Sequence, residues 1–186
     1  MSVVNRNILD SSAEAIILTI DGAKKGMEGN IARAFAKKYP NAWELLEYEI
    51  TYPIPIGMAK IFNIEDDDDC NQKFCIIAST LHHLDVLEQS SKRNIINSAL
   101  RYALTQANNH QLKSLCTTIM KGGWRLELED ALVQMITTYS SFANAYIGAP
   151  RLEVCIDNVE EYKRIATFAE AEYSTFEVLS DKEFVI

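Results

Sequence analysis

The chain has 186 residues, of which 48% are hydrophobic and 24% charged, and these proportions are typical of a globular protein of one domain. Its formal net charge of −8 argues against a nucleic-acid backbone as the main partner, because such binding needs a basic surface. We find neither an apolar run of about 18 residues nor the apolar segment of a signal peptide. We therefore expect a single cytoplasmic domain over residues 1–186 with no membrane partner, and an extension from about residue 172 whose role stays open.

The first half of the chain predicts strands and helices in alternation. The segments are, in order, a short edge strand at Val3–Ile8, a strand at Ala15–Ile20, helices at Gly29–Lys38 and Asn41–Glu47, and strands at Met58–Ile64 and Phe74–Thr80. The linker between the last two strands has no apolar helical face, so these two strands are predicted to form an antiparallel hairpin. Its four consecutive aspartates lack the spacing of a calcium loop and are interpreted as a solvated hairpin tip.

The second half continues the alternation. The segments are a helix at Lys92–Asn108, a strand at Ser114–Ile119, a helix at Glu127–Ala143, a strand at Leu152–Ile156 and a helix at Asn158–Ala171 that Asp157 or Asn158 could cap. Strands that alternate with helices predict an α/β domain with a largely parallel central sheet.

The four cysteines are predicted to be free thiols. Cys75, Cys116 and Cys155 lie in apolar runs, where a reduced cysteine acts as a small hydrophobic residue, whereas Cys70 follows the aspartate run and is expected to be exposed. Since no two cysteines have the C-x-x-C spacing, we predict neither a disulfide framework nor a metal site.

A glycine-rich loop joins the second predicted strand to the first predicted helix. It runs from Asp21 to Asn30 and contains Gly22, Gly26 and Gly29. Strand, glycine-rich loop and helix is an arrangement that binds phosphate, because glycine allows close backbone approach and a helix start offers unpaired N–H groups. The alternative is that these glycines only make a tight turn.

A second glycine-bearing loop follows a later strand in the same way. It contains Met120, Lys121, Gly122, Gly123 and Trp124 and leads into the helix that begins near Glu127. Both loops are expected at the carboxyl ends of parallel strands, where open sheets bind ligands. Two such loops suit a diphosphate held from both sides, although tight turns remain the alternative.

The segment from Asn7 to Phe142 resembles a macro domain, the ADP-ribose-binding α/β module. The likeness is greatest to the branch that includes antitoxin and terminal ADP-ribose glycohydrolases. The run from Met27 to Pro40 is similar to that branch's Met-Gly-x-Gly-Ile-Ala-x-x-Phe-Lys-Lys-x-Phe-Pro. The resemblance implies a three-layer macro-like α/β fold, in which helices flank a mixed, mostly parallel central sheet.

The resemblance also implies a set of ligand contacts. Asn7 stands where the family usually has an aspartate that holds the adenine amino group, and Asp21 stands where an asparagine often contacts the distal ribose. Backbone N–H groups of both loops would bind the diphosphate. The candidate ligand-binding residues are Asn7, Asp21, Gly22, Gly26, Gly29, Asn30, Ile31, Met120, Lys121, Gly122, Gly123 and Trp124.

The resemblance does not extend to catalytic groups. The hydrolase branch can use a lysine after the strand matched by Phe74–Thr80 and an aspartate in the second loop. This chain has Leu81-His82-His83 and Gly123-Trp124-Arg125 there. We therefore expect a diverged module that binds ADP-ribose or a related nucleotide diphosphate and needs no cofactor. The alternatives are a ligand-free module for protein association and an ADP-ribosyl hydrolase that uses non-standard residues such as Asp21 with a bound water.

For several side chains the sequence allows either a role in ligand binding or a purely structural one. Trp124 could cover a ribose or adenine face or plug the sheet edge, and Lys24, Lys25 and Lys121 could screen phosphate charge or be solvated. The sequence favours an exposed loop for His82 and His83 over a metal site that also uses Asp85.

Overall fold

The computed structural model describes residues 1–26, 28–65, 70–83, 86–123 and 126–186. The predictions made for the aspartate run, for Asp85 and for Trp124 lie outside the described residues.

The described strands form one mixed sheet. They are β1 (Ser2–Val4), β2 (Ala15–Asp21), β3 (Ala59–Asn63), β4 (Phe74–Leu81), β5 (Ser114–Thr117), β6 (Arg151–Cys155), β7 (Glu177–Ser180) and β8 (Glu183–Val185). Their order across the sheet is β3-β4-β2-β5-β6-β1-β8-β7. The five strands from β4 to β1 are parallel, and antiparallel pairs extend the sheet at both ends. The predicted mixed, mostly parallel sheet and the β3–β4 hairpin are confirmed.

Helices cover both faces of this sheet. They are α1 (Asn30–Lys38), α2 (Pro40–Glu49), α3 (Gln89–Asn109), α4 (Leu128–Ala145) and α5 (Val159–Glu172). Alternate residues of β2 point to opposite faces, as strand geometry requires. Ile17 packs in a core with α3, α4 and α5, whereas Ile16 and Leu18 pack in a second core with α1 and α2. The result is the expected three-layer α/β fold.

The helix boundaries follow local signals. α2 begins at Pro40, because the missing N–H of proline is no loss in a first helical turn. α5 begins after Asn158, whose side chain accepts hydrogen bonds from the N–H groups of Glu160 and Glu161. None of the described helices is long and apolar enough to cross a membrane.

The predicted N-terminal edge strand is corrected in position and length. β1 lies inside the sheet, between β6 and β8, and it ends at Val4. It ends there because Asn7 caps a single 3₁₀ turn at Ile8–Asp10. β1 is internal because the C-terminal tail turns back as the β7–β8 hairpin and β8 pairs with it. The tail, whose role the sequence left open, therefore forms the last two strands of the sheet.

The cysteines follow the expectation with one exception. Cys75, Cys116 and Cys155 are buried free thiols. Burial raises the pKa of the Cys116 thiol to about 12 and raises the pKa of the other two buried thiols as well. Cys70, expected to be exposed, is half-buried, with Sγ 3.8 Å from Oε1 of the buried Gln72 side chain.

Candidate functional site

The main cavity opens where parallel strands end. β2, β4, β5 and β6 are parallel neighbours, so their carboxyl ends meet at one edge of the sheet. A cavity of about 610 Å³ lies at this edge and is lined by residues at or just beyond the end of each of the four strands. We call it the strand-end cleft. Its volume is in the range of small-molecule sites, about 300–1,000 Å³.

The first glycine loop delivers the start of α1 to the strand-end cleft. Gly26 has φ +86°, which a residue with a side chain rarely adopts, and its N–H donates to Glu28 Oε1 over 2.9 Å. Glu28 then pairs with Ile20 of β2 in an isolated bridge, so that the loop folds back on its own strand. Gly29 follows as the residue that precedes α1.

The N-terminus of α1 is open towards the strand-end cleft. Gly29, Asn30 and Ile31 all line it. Among the described residues no side chain caps this helix, and the first N–H groups of an α-helix have no partner within the helix. These N–H groups, together with the helix dipole, form an electropositive site for an anion.

The second glycine loop faces the first across the end of the sheet. Gly122 and Gly123 have φ of +60° and +64°. A methyl group at Gly123 would lie 2.7 Å from Leu81 Cδ2, and one at Gly122 would lie 3.1 Å from the Thr80 oxygen. Their positive φ angles would strain any other residue at these two positions, and the loop exposes its backbone to the strand-end cleft together with Lys121.

Most of the predicted ligand-binding residues meet at this cleft. Those that line it are Asp21, Gly26, Gly29, Asn30, Ile31, Lys121, Gly122 and Gly123. Both predicted loops thus reach one cavity, as the order of strands β2 and β5 requires.

Three predicted residues lie elsewhere than in the described lining of the strand-end cleft. Asn7 accepts a hydrogen bond from Leu9 N–H over 3.0 Å, and its Nδ2 lies 3.4 Å from the side chain of Asp157. Gly22 is packed against Ser79, and its N–H donates to the oxygen of Leu81. The remaining one, Met120, is buried.

Asp21 is committed to hydrogen bonds within the domain. Its side chain is 4% exposed. Oδ1 accepts from Ala23 N–H over 3.0 Å, and Oδ2 accepts from the backbone N–H of His83 over 2.8 Å and lies 3.0 Å from His83 Nδ1. Three donors therefore surround this carboxylate, and its side-chain partner is the imidazole ring of His83.

The two adjacent histidines have different contacts. The sequence favoured an exposed loop for both, but in the structure both are half-buried. The Nε2 of His82 lies 2.9 Å from the oxygen of Ile54. His83 lines the strand-end cleft and pairs with Asp21, from which it is 62 residues distant in sequence. Because β4 lies beside β2 in parallel, the residue just beyond β4 meets the end of β2, and this adjacency was the signal that could have suggested the pair.

The β6–α5 junction was not predicted to take part in the site. Asp157, Asn158 and Glu161 line the strand-end cleft. Unlike the start of α1, the start of α5 is capped by the Asn158 side chain, over 2.9 and 3.0 Å. The junction therefore contributes carboxylates and a capped helix, whereas α1 and also α4, whose first residue Leu128 lines the cleft, begin without a side-chain cap among the described residues.

The strand-end cleft carries more carboxylates than cations. Its described acidic side chains are Asp21, Glu28, Asp157 and Glu161, and its described basic side chains are Arg33, Lys121 and His83. Arg33 donates from Nε to the backbone carbonyl oxygen of Glu28 over 3.1 Å, and Lys25 pairs with the side chain of Glu47. No described group of three or more histidine, cysteine or acidic side chains is placed to hold a metal ion.

Comparison with solved structures identifies the fold. The macrodomain of Oceanobacillus iheyensis with MES bound has a TM-score of 0.72 and 14% identity, covering 91% of this chain and 89% of that chain. A mutant of the same macrodomain with ADPR has a TM-score of 0.63 and 14% identity, covering 91% of this chain and 93% of its own.

The DarG macrodomain of Mycobacterium tuberculosis is a further similar structure. It has a TM-score of 0.60 and 13% identity over 82% of this chain and 96% of its own. No family model and no curated protein matches the sequence. The chain therefore has the macrodomain fold, as its resemblance suggested.

Proposed function

We propose that the strand-end cleft binds ADP-ribose or a related nucleotide diphosphate. The observation that carries this proposal is the open start of α1 beside two glycine loops in one cavity. The unpaired N–H groups at the start of α1 and the backbone N–H groups of the second glycine loop can each bind an anion. A diphosphate has two phosphate groups and can occupy both places at once.

The charges of the strand-end cleft favour backbone recognition over side-chain recognition. Lys121 is a single cation, and the Arg33 side chain donates a hydrogen bond to the backbone carbonyl oxygen of Glu28. The phosphates would then be bound chiefly by N–H groups at Gly29–Ile31 and in the second loop. A mutant macrodomain of Oceanobacillus iheyensis with the same fold has been solved with ADPR, which supports this class of ligand for the cleft.

The proposal is tested by placing a carboxylate at the open helix start. Asn30 is the first residue of α1 and is exposed. Asn30→Glu should leave the fold intact, because an acidic side chain is favourable at a helix N-terminus. It should weaken ADP-ribose binding about tenfold or more, since the added charge repels the diphosphate and competes for the same N–H groups. Titration calorimetry measures both affinities.

The control adds the same charge elsewhere. Thr167 is exposed in the middle of α5 and is not among the described lining residues of the strand-end cleft. Thr167→Glu should bind ADP-ribose as the unchanged protein does. Equal affinities of both variants would contradict the assignment of the phosphate site. Absence of heat and of a thermal shift with millimolar ADP-ribose would instead favour the ligand-free module for protein association.

A further inference from the structure

His83 lines the strand-end cleft and uses Nδ1 of its ring to contact Asp21. Nδ1 lies 3.0 Å from Asp21 Oδ2, and the backbone N–H of the same histidine donates to the same oxygen over 2.8 Å. These two contacts fix both the position and the rotation of the ring. The His83 side chain is 26% exposed, and among the described residues its ring makes a hydrogen bond through Nδ1 but none through Nε2.

The contact with Asp21 determines which proton the ring carries. An ionised carboxylate can only accept hydrogen bonds, so Nδ1 must be the nitrogen that carries the hydrogen. In the neutral ring Nε2 is then a bare acceptor, and only the doubly protonated ring offers an N–H at Nε2.

Phosphate oxygens accept hydrogen bonds and do not donate them when the phosphate is ionised. A phosphate beside Nε2 is therefore repelled by the neutral ring and bound by the protonated one. We propose that His83 is a phosphate contact of the strand-end cleft, positioned by Asp21, and that phosphate binding there takes up one proton from solution. The inference rests on the proposed function, because it assumes that a phosphate-bearing ligand enters this cleft.

Charged groups of both signs share the strand-end cleft with the ring. The charged groups that share the described cleft with it are Asp21 on β2, Glu28 before α1, Arg33 on α1, Lys121 in the second loop, and Asp157 and Glu161 at the β6–α5 junction. Carboxylates outnumber the permanent cations in this set. A ligand that adds two negative charges increases that imbalance, and protonation of His83 offsets part of it.

The test is a proton count by calorimetry on the full chain. ADP-ribose is titrated at one pH above the ordinary range of imidazole in several buffers that differ in ionisation enthalpy, and the dependence of the heat on that enthalpy gives the number of protons taken up. We expect close to one. We also expect the affinity to fall as the pH rises, by up to about tenfold per pH unit between the titration midpoints of the free and the liganded ring, because binding there is linked to one proton.

Two histidine variants distinguish the ring of His83 from other titrating groups. His83→Gln keeps a polar side chain but cannot gain a proton, so proton uptake and the pH dependence should both disappear. His110 is exposed at the end of α3 and contacts the Gln106 oxygen. His110→Gln makes the same chemical change away from the strand-end cleft and should behave as the unchanged protein does.

A second probe keeps the two proposals distinguishable. Inorganic pyrophosphate is added while the His83 ring signals, assigned by their loss in His83→Gln, are followed by NMR across pH. A rise in the titration midpoint of the ring supports the phosphate contact even when ADP-ribose gives no heat, which would overturn the proposed function alone. ADP-ribose binding without proton uptake would leave the proposed function standing and overturn the role of His83. The role of His83 would also be overturned if neither ADP-ribose nor pyrophosphate changed the titration midpoint of its ring.

Discussion

Asp21 and Gly22 stand side by side at the end of β2, and both are held by groups inside the domain. The Asp21 carboxylate accepts from two backbone N–H groups and contacts an imidazole, so both of its oxygens already have partners within the domain. Gly22 donates its N–H to Leu81 and receives that of Ile54 on its oxygen. These two residues are therefore held by the domain itself, whereas no described side chain caps the start of α1.

The packing of Gly22 yields a prediction for a single methyl group. In Gly22→Ala the new carbon would lie 2.1 Å from Ser79 Oγ and 2.6 Å from the Ile54 oxygen, so that strand β4 or the segment near Ile54 must shift. We expect the free energy of unfolding to fall by about 2–3 kcal/mol, as overpacked sites usually show. Denaturant unfolding measures this change.

Gly29→Ala is the matched control for that methyl group. Its new carbon would lie 3.1 Å from the Thr19 oxygen, and its backbone is in the ordinary extended region. It should cost less than about 1 kcal/mol. If the free energy of unfolding fell equally in the two variants, the close contact with Ser79 would not be the reason that position 22 requires glycine.

At the scale of elements, the β7–β8 hairpin completes the sheet on the side opposite to β3. β8 pairs with β1, and its Phe184 is 1% exposed. The Phe184 ring lies 5.7 Å from the Tyr162 ring of α5 and 5.0 Å from the Phe176 ring. The tail is therefore part of the core, because it covers the edge that β1 and α5 would otherwise expose.

Truncation of this aromatic anchor is expected to be costly. Phe184→Ala should lower the free energy of unfolding by about 3–5 kcal/mol, because it removes a buried ring and leaves a cavity. Val178→Ala in the neighbouring strand serves as control, since Val178 is 62% exposed and its change should stay within about 0.5 kcal/mol. Denaturant titrations of both variants test this, and a small effect of Phe184→Ala would mean that the hairpin is only loosely attached.

At the scale of the whole molecule, one sheet separates and also joins two cores. Ile17 belongs to the core under α3, α4 and α5, and its neighbour Ile16 belongs to the core under α1 and α2. Ion pairs of Asp130 with Arg93 and of Glu129 with Arg164 further connect α4 to α3 and α5, and these arginines lower the pKa of both carboxyl groups.

Because the two cores share every central strand, we expect residues 1–186 to unfold as one unit. Differential scanning calorimetry should show a single transition, in which the calorimetric and van't Hoff enthalpies agree. Phe184→Ala should shift that whole transition to lower temperature. A transition that splits in two, or a shift confined to one of two transitions, would contradict the prediction of a single domain.

Local patterns in the sequence were sufficient for the five helices, for strands β2 to β6 and for the two loops, but not for the position of β1 or for the β7–β8 hairpin. The alternation of strands and helices, the cap at Asn158, the three buried cysteines and the glycines at Gly26 and Gly122 all depend on neighbours within a few residues. Periodicity shows which face of an element is buried, and glycine marks a backbone that other residues cannot adopt. The resemblance carried by the first loop added the macrodomain fold, which the solved structures confirm.

Only the tertiary structure decided which distant residues meet. It placed β1 inside the sheet, brought His83 to Asp21 across 62 residues and added the β6–α5 junction to the strand-end cleft. It also placed Asn7, Gly22 and Met120 outside the described lining of that cleft. The physical reason is that strand order and parallel register arise from packing over the whole sheet, and a local pattern that buries a face does not specify the partner that covers it.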